Sequence, residues 1–167
     1  MSSPSDKRKK PQRLRSSVLD RLIDLQPDKQ IENEKSRHQL MSEIRESVRR
    51  DLERLLNTRF RCISPPEGCD ELEDSLINYG LPDLNVINFL NSAGTSQFCH
   101  LVEEHIKRFE PRFKSVRVVI KEGNDKLDRT LRFRIEALMH ADPAPEEIVF
   151  DSALEPSTNN VHIENIH

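Results

Sequence analysis

A single proline, Pro111, constrains the fold of this chain strongly, because the hydrophobic period changes there. Over residues 98–109, apolar side chains recur at the three- and four-residue spacing of an amphipathic helix. From Val116 to Ile120, apolar residues recur instead at every second position, as in a strand with one buried face. Proline has no amide proton and pushes the preceding residue towards extended geometry, so the helix should end just before it. The chain is therefore predicted to change from helix to strand at residues 109–113, which we call the elbow.

The elbow has the sequence Phe109-Glu110-Pro111-Arg112-Phe113 and carries two opposite charges. A carboxylate at a helix C-terminus faces the negative end of the helix dipole, which costs about 0.3–1 kcal/mol. Residues two apart in an extended segment point to the same side, so Glu110 and Arg112 can pair with each other or bind one group of a partner. Phe109 and Phe113 can anchor the elbow in the core. From the residues alone, a local ion pair in a loop is the simpler interpretation.

Hydrophobic periodicity predicts several helices before the elbow. They cover about residues 36–56, 70–79, 84–90 and 95–109. The first should begin with a capping box between Ser36 and Gln39. The second should place Leu72, Leu76 and Ile77 inward and end where Gly80 takes a left-handed conformation.

Alternating apolar residues predict three strands after the elbow, at about residues 116–121, 131–137 and 148–152. Together with the helices they predict an α+β fold, with several helices packed on one face of a small three-stranded antiparallel sheet. The predicted organisation has four parts: a disordered basic tail at 1–16, a short helix and linker at 17–35, one α+β domain at 36–156, and a disordered tail at 157–167.

Near the N-terminus, four apolar residues recur at helical spacing: Val18, Leu19, Leu22 and Ile23. The stripe covers only about two turns, and isolated helices shorter than ~12 residues are marginally stable in water. Two interpretations stay open. The helix packs on its own domain, or it is a short anchor for a partner protein, because the polar residues 26–35 separate it from the body.

Composition argues against several functional classes. A net charge of −3 over 167 residues does not suggest nucleic-acid binding. No apolar run approaches the ~20 residues of a membrane span, and the N-terminus lacks the apolar stretch of a signal peptide, so a cytoplasmic location is expected. Three cysteines without CxxC spacing argue against a disulfide framework or a zinc site. His100 and His105 are five residues apart, which places them on different sides of a helix. No cofactor or metal is expected.

Three stretches of the sequence resemble a known family. Glu110-Pro111-Arg112 after a helix resembles the Glu-Pro-Arg signature of the tail-lysozyme-like baseplate family, which includes phage tail baseplate-wedge proteins and TssE of type VI secretion. Residues Ser17–Leu22 and Asn78–Asp83 resemble the TssE branch. With the final strands, the resemblance covers about residues 17–156.

The resemblance implies a non-enzymatic, cytoplasmic subunit of the type VI secretion baseplate. Its implied partners are the wedge subunits TssF and TssG and the sheath subunits TssB and TssC, with TssK as a further candidate. The residues expected at protein interfaces are Glu110, Pro111, Arg112, Val18, Leu19, Arg21, Leu22, Arg132 and Arg134. An edge strand of the sheet can accept a strand from a partner, and Arg117, Lys121, Arg132 and Arg134 on its polar face can steer an acidic one.

The alternative function is a peptidoglycan-cleaving hydrolase, which the historical name of the family implies. Glycoside hydrolysis uses two carboxylates, one of which holds its proton as a general acid. Glu110 is the one carboxylate in a special setting, but the neighbouring Arg112 favours its charged form. The chain also has no tryptophan and one tyrosine, so it offers little aromatic surface for sugar stacking.

Overall fold

The computed structural model describes residues 17–23, 36–60, 68, 70–72, 75–84, 91–121, 130–141, 144–155, 158 and 160–165. Within these residues, three α-helices precede a four-stranded antiparallel sheet. The helices are α1 (Val18–Leu22), α2 (Arg37–Asn57) and α3 (Ser92–Phe109), and the strands are β1 (Phe113–Ile120), β2 (Leu131–Met139), β3 (Glu146–Glu155) and β4 (Asn160–Asn165). Two 3-10 turns, Asp70–Leu72 and Leu76–Asn78, lie between α2 and α3.

The two long helices begin at side-chain caps. At α2 the predicted capping box is confirmed, because the Gln39 amide donates to Ser36 Oγ and the Ser36 amide donates to Gln39 Oε1. α3 begins at Ser92, three residues before the predicted start, because the Asn91 side chain accepts a hydrogen bond from the Gly94 amide at 2.6 Å.

The helices cover one face of the sheet, whose strand order is β1-β2-β3-β4. α3 packs over β1, and α2 packs over β4. Phe133, Ile135, Phe150 and Leu154 form the centre of the buried face. Phe98 of α3 meets Phe133 edge-on with 5.3 Å between ring centroids. The predicted α+β class is confirmed, but the sheet has four strands rather than three.

The fourth strand corrects the prediction that residues 157–167 form a disordered tail. In β4, Val161 lies opposite Leu154 and Ile163 lies opposite Ser152, and both apolar side chains are buried. Asn57 at the end of α2 fixes the strand, since its Nδ2 donates to the Val161 carbonyl at 2.8 Å and its Oδ1 accepts from the Val161 amide at 2.7 Å. The apolar alternation spans only Val161 to Ile163, too short a pattern to indicate a strand without these contacts.

The predicted helix from Asp70 is also corrected. The described residues form two separate 3-10 turns, because Ser75 interrupts them by donating to the Leu72 carbonyl and accepting from the Ile77 amide. Leu76 and Ile77, predicted to face inward, are exposed. The predicted helix at 84–90 lies outside the described residues, apart from Leu84.

The predicted left-handed conformation of Gly80 is confirmed, with φ of +108°. A Cβ atom at this position would lie 2.3 Å from the Thr58 carbonyl oxygen. The close approach brings the Leu81 amide to the same carbonyl at 2.8 Å, so the segment before α3 is attached to the end of α2. Glycine is therefore required here, because φ is positive and because a Cβ atom would collide with the Thr58 carbonyl.

Candidate protein-interaction site

The elbow changes from helix to strand at the predicted place. α3 ends at Phe109 and β1 begins at Phe113. The Glu110 carbonyl between them accepts a hydrogen bond from the Phe113 amide at 3.2 Å. Phe113 is buried, and Phe109 packs edge-on against Tyr79 with 5.3 Å between ring centroids. Both predicted aromatic anchors therefore hold the elbow against the body.

Arg112 pairs with Glu110 in a bidentate arrangement. Arg112 Nε donates to Glu110 Oε1 at 2.5 Å, and Nη2 donates to Oε2. The Arg112 backbone amide also donates to Oε1 at 3.3 Å. Glu110 is only 5% exposed. The guanidinium therefore compensates a carboxylate that is both buried and at the unfavourable end of a helix.

Two side chains of α2 complete this arrangement. Asp51 Oδ2 accepts from Arg112 Nη2 at 2.5 Å, and Ser47 Oγ accepts from Arg112 Nη1 at 3.4 Å. Burial alone would lower the pKa of Arg112, but hydrogen bonds and charges from Glu110 and Asp51 raise it above its ordinary value. We call Ser47, Asp51, Glu110 and Arg112 the elbow cluster.

Glu110 and Arg112 were both predicted to lie at a protein interface, and Glu110 is buried within the chain itself. The Arg112 side chain is 29% exposed, and the Glu110 carboxylate lies beneath it. Breaking a buried ion pair by removing one partner costs about 3–5 kcal/mol, because the other charge is left without compensation. The pair of Glu110 and Arg112 therefore stabilises the fold and fixes the shape of the neighbouring surface.

α1 rests on the elbow cluster through one carboxylate. Asp20 Oδ2 accepts from Ser47 Oγ at 2.7 Å, and Oδ1 accepts from Arg50 Nη2 at 2.9 Å. Ser17, the N-cap of α1, donates to Oδ2 at 2.6 Å. Burial would raise the pKa of Asp20, but these hydrogen bonds and the charges of Arg50 and Arg112 outweigh it and lower the pKa below its ordinary value.

The apolar stripe of α1 faces away from the body. Val18 is 73% exposed and Leu22 is 76% exposed, and Leu19 and Ile23 are exposed as well. The polar side of α1 therefore docks on the chain's own domain, and the described residues leave its apolar side uncovered. That the segment anchors a partner protein stays a prediction. Arg21 lies in the last turn and is also exposed.

A pocket of about 340 Å³ opens beside the elbow cluster. Its apolar lining comes from α2 and from the rings of Tyr79 and Phe109. Its polar lining comes from the elbow cluster and from the cap of α1. The lining residues are Ser17, Asp51, Leu52, Leu55, Tyr79, Phe109, Glu110, Pro111 and Arg112. Ser17 lies at the start of α1, so the pocket and the exposed stripe adjoin each other.

The cationic residues of the sheet lie on its outer face. Arg134 Nε lies 3.1 Å from Asp151 Oδ1, and Lys121 Nζ lies 2.5 Å from Asp151 Oδ2. These contacts hold the pKa of Asp151 below its ordinary value, although burial alone would raise it. Arg117 and Arg132 are exposed, and Arg117 lies opposite Glu136 in the ladder. Arg134 and Lys121, two of the predicted steering cations, thus pair with Asp151.

His100 and His105 lie on different sides of α3, as their spacing predicts. His100 is exposed, whereas the His105 ring stacks between Phe60 and Phe109 at 6.1 and 6.3 Å. Burial lowers the pKa of His105. In the part of the chain that the structure describes, no group of three or more His, Cys, Asp or Glu side chains could hold a metal ion. No helix among these residues is long and apolar enough to cross a membrane.

Sequence reasoning missed the partners of the elbow on α2. Asp51 and Ser47 lie 61 and 65 residues before Arg112, and no local pattern connects them with it. Ser47 was the available signal, because it lies beside Val48 on the buried side of α2, where a hydroxyl needs a partner. The contact of Asp20 with α2 was not predicted either.

Residues 42–144 match the family model described as "Baseplate wedge protein gp25". The chain belongs to the baseplate wedge protein gp25 family. The matched range includes most of α2, the elbow, β1 and β2, and it begins after α1. Membership of the gp25 family supports a structural role in a baseplate.

Comparison with solved structures finds a chain of "The baseplate complex from the type VI secretion system". The two chains are 19% identical with a TM-score of 0.45, and the alignment covers 68% of this chain and 96% of the other. No curated protein matches the sequence.

The geometry of Glu110 does not suit the alternative hydrolase function. Both carboxylate oxygens accept hydrogen bonds from Arg112, and the group lies beneath that side chain. A general acid must instead present its proton to a glycosidic oxygen. The gp25 family membership likewise points to a structural protein rather than to a hydrolase.

Proposed function

We propose that this protein is a TssE-type subunit of a type VI secretion baseplate, assembled on the cytoplasmic side of the envelope. It joins a wedge with TssF and TssG and supports the base of the contractile sheath formed by TssB and TssC, with TssK as a further candidate partner. The gp25 family membership supports the baseplate role, and the TssE-like stretches Ser17–Leu22 and Asn78–Asp83 support the type VI system.

The exposed apolar stripe of α1 is the observation that carries the wedge contact. Burying an aliphatic side chain of this size stabilises a complex by about 1.5–3 kcal/mol, so Val18, Leu19 and Leu22 offer a large gain to a partner. A helix of five residues is too short to be stable alone. Docking of Asp20 on α2 holds the helix in place before a partner binds, so the entropic cost of ordering α1 on binding is smaller.

The elbow contributes by shaping the neighbouring surface. The pair of Glu110 and Arg112 fixes the end of α3, and Pro111 is exposed on the rim of the pocket. In the proposed wedge, a TssF or TssG segment covers the stripe of α1 and extends over this pocket. In this proposal the predicted contact residues of α1 and the accessible Pro111 and Arg112 of the elbow form one surface, and the buried Glu110 supports it from beneath.

The β1 edge is the better candidate for a strand contributed by the sheath. At the β4 edge, Asn57 occupies both the amide and the carbonyl of Val161, and Arg49 Nη1 donates to the Ile163 carbonyl at 3.2 Å. At the β1 edge, the Val118 amide donates to Glu103 Oε1 at 2.8 Å. A partner strand there displaces one flexible side chain rather than a clamp of three hydrogen bonds.

The outer face of the sheet offers a second contact with the sheath. Arg117 and Arg132 are exposed there, beside Arg134 and Lys121, which bind Asp151. In this proposal the two exposed arginines steer an acidic sheath segment towards β1, which affects the association rate more than the final affinity.

Co-purification of the full chain with co-expressed TssF and TssG tests the proposal. Wild type should be recovered with both subunits, and Leu22→Asp should reduce recovery more than tenfold, because a charge replaces an apolar contact. Leu76→Asp is the matched control, since Leu76 is a leucine of similar exposure that lies outside α1. Absence of a complex with wild type, or equal loss in the two variants, would contradict the proposal.

A further inference from the structure

The lining of the pocket beside the elbow cluster holds two carboxylates, from Asp51 and Glu110, and one guanidinium, from Arg112. Asp51 is the more accessible carboxylate, with a side chain that is 40% exposed. Its Oδ2 atom binds Arg112. Its Oδ1 atom forms a long ion pair with Arg54 Nη1 at 3.8 Å, beyond hydrogen-bond distance, and the Arg54 side chain is 66% exposed.

Tyr79 lies on the wall of the pocket, close enough to these carboxylates for their charges to affect its pKa. Burial is the main reason why its pKa is raised, and the charges of Asp51 and Glu110 raise it further, while Arg54 opposes them. The ring of Tyr79 packs edge-on against Phe109, so the wall next to the carboxylates is aromatic. The pocket therefore combines a flat apolar wall with an acidic end.

This combination matches the chemistry of one side chain. Arginine has an aliphatic stem that packs on apolar surface and a planar guanidinium that stacks on aromatic rings and pairs with carboxylates. A purely apolar side chain would bury Asp51 Oδ1 without a hydrogen bond, which is costly. A lysine ammonium could bind Oδ1 but is more strongly hydrated and lacks the planar group for the aromatic wall.

We propose that this pocket receives an arginine side chain of a partner protein, with its guanidinium on Asp51 and its stem against Tyr79 and Phe109. The inference rests on the proposed function in taking the wedge as the source of that arginine. It assigns the partner contact to Asp51 and leaves Glu110 and Arg112 as the groups that position it. Arg112 orients Asp51 from one side, and the incoming guanidinium binds Oδ1 from the other.

A titration with a model side chain tests the pocket without any partner protein. N-acetyl-arginine amide is added to the isotope-labelled full chain, and N-acetyl-citrulline amide, its neutral isostere, serves as the control. Binding of the arginine compound should saturate with a dissociation constant of about 1–10 mM, a few kcal/mol, and shift signals of Tyr79 and Leu55. The citrulline compound should cause no saturable shift. Equal shifts with both compounds, or none with either, would overturn the proposal.

The variant Asp51→Asn then connects the pocket to the wedge. Asparagine retains an oxygen acceptor for Arg112 but removes the charge, so the melting temperature should stay close to wild type. Affinity for a purified TssF–TssG complex should fall more than tenfold, whereas Glu164→Gln, the same charge change on exposed β4, should not alter it. Unchanged affinity in Asp51→Asn would overturn the pocket while leaving the wedge role intact. Arginine binding by a chain that does not bind TssF–TssG would overturn the wedge role alone.

Discussion

At the scale of single residues, the elbow shows how a local sequence motif depends on distant side chains. Glu110 is placed at an unfavourable helix end and is then buried, which is tolerated because Arg112 pairs with both of its oxygens. Arg112 in turn donates hydrogen bonds to Asp51 and Ser47, and the Ser47 hydroxyl donates to Asp20. A change at any of these residues therefore affects its neighbours.

Removing one member of the buried pair should destabilise the isolated protein. Arg112→Ala should lower the free energy of unfolding by about 2–4 kcal/mol, somewhat below the value for a fully buried pair because Arg112 is partly exposed. Glu110→Ala should cost less, since Arg112 keeps Asp51 and contact with water. The double variant should be less destabilised than the sum of the two, because neither charge is then stranded.

Urea unfolding of the three variants measures these differences. The matched control is Arg117→Ala. Arg117 is an exposed arginine of β1, so this change should alter the unfolding free energy by less than about 0.5 kcal/mol. Single variants as stable as this control would show that the elbow pair contributes nothing to folding, and the structural interpretation of Glu110 would be wrong.

At the scale of secondary-structure elements, helices and strands with local patterns were predictable and those that rest on tertiary contacts were not. The periods around Pro111 and the cap at Ser36 correctly predicted α2, α3 and the elbow. β4 was missed because Asn57 and the buried face of β3 hold it in place, and neither is visible in its six residues. The predicted helix from Asp70 failed because the Ser75 side chain competes for backbone groups.

The site shows the same division. Its sequence-local part, Glu110 to Arg112, was predicted, whereas Asp51 and Asp20 were brought to it by packing of α2 and α1. The burial of Glu110 could not be predicted because it depends on Arg112 folding back over the carboxylate. The sheet cations were identified correctly as a group on one face, but the engagement of Arg134 by Asp151 required the strand register.

The attachment of α1 should depend on pH. The pKa of Asp20 is lower in the folded protein than its ordinary value, so its docking contribution is complete above that value and is lost as pH falls through the folded-state pKa. α1 should therefore stay docked at pH 7 and at pH 5 and detach in stronger acid. Asp20→Asn should loosen α1 already at pH 7, because it loses the ion pair with Arg50.

Backbone ¹⁵N relaxation measures this detachment directly. The heteronuclear NOE of residues 18–22 should fall in acid and in Asp20→Asn, while that of α2 stays high. Arg21→Gln is the control, since Arg21 is exposed on the same helix and should leave α1 docked. Loss of order in α1 and α2 at the same pH would instead indicate global acid unfolding, and unchanged α1 in Asp20→Asn would contradict docking by this carboxylate.

At the scale of the whole molecule, the described residues divide the surface into two regions. The stripe of α1, the pocket and the rim of the elbow lie together, and the outer face of the sheet carries the exposed cations. The helices lie on the other face of the sheet and connect the two regions through one core. In the proposed assembly, the first region binds the wedge and the second meets the sheath.

Site-specific photocrosslinking in the assembled baseplate tests the central claim, that the α1 region is the wedge contact. A photoreactive residue at Val18 should form a crosslink with TssF or TssG, and the same residue at Leu76, which is exposed but lies outside α1, should not. Both positions are highly exposed, so non-specific crosslinking through random encounters would give equal products from both. A crosslink from Val18 with no product from Leu76 is the predicted result, and equal products from both positions, or none from Val18 in an intact baseplate, would contradict the account.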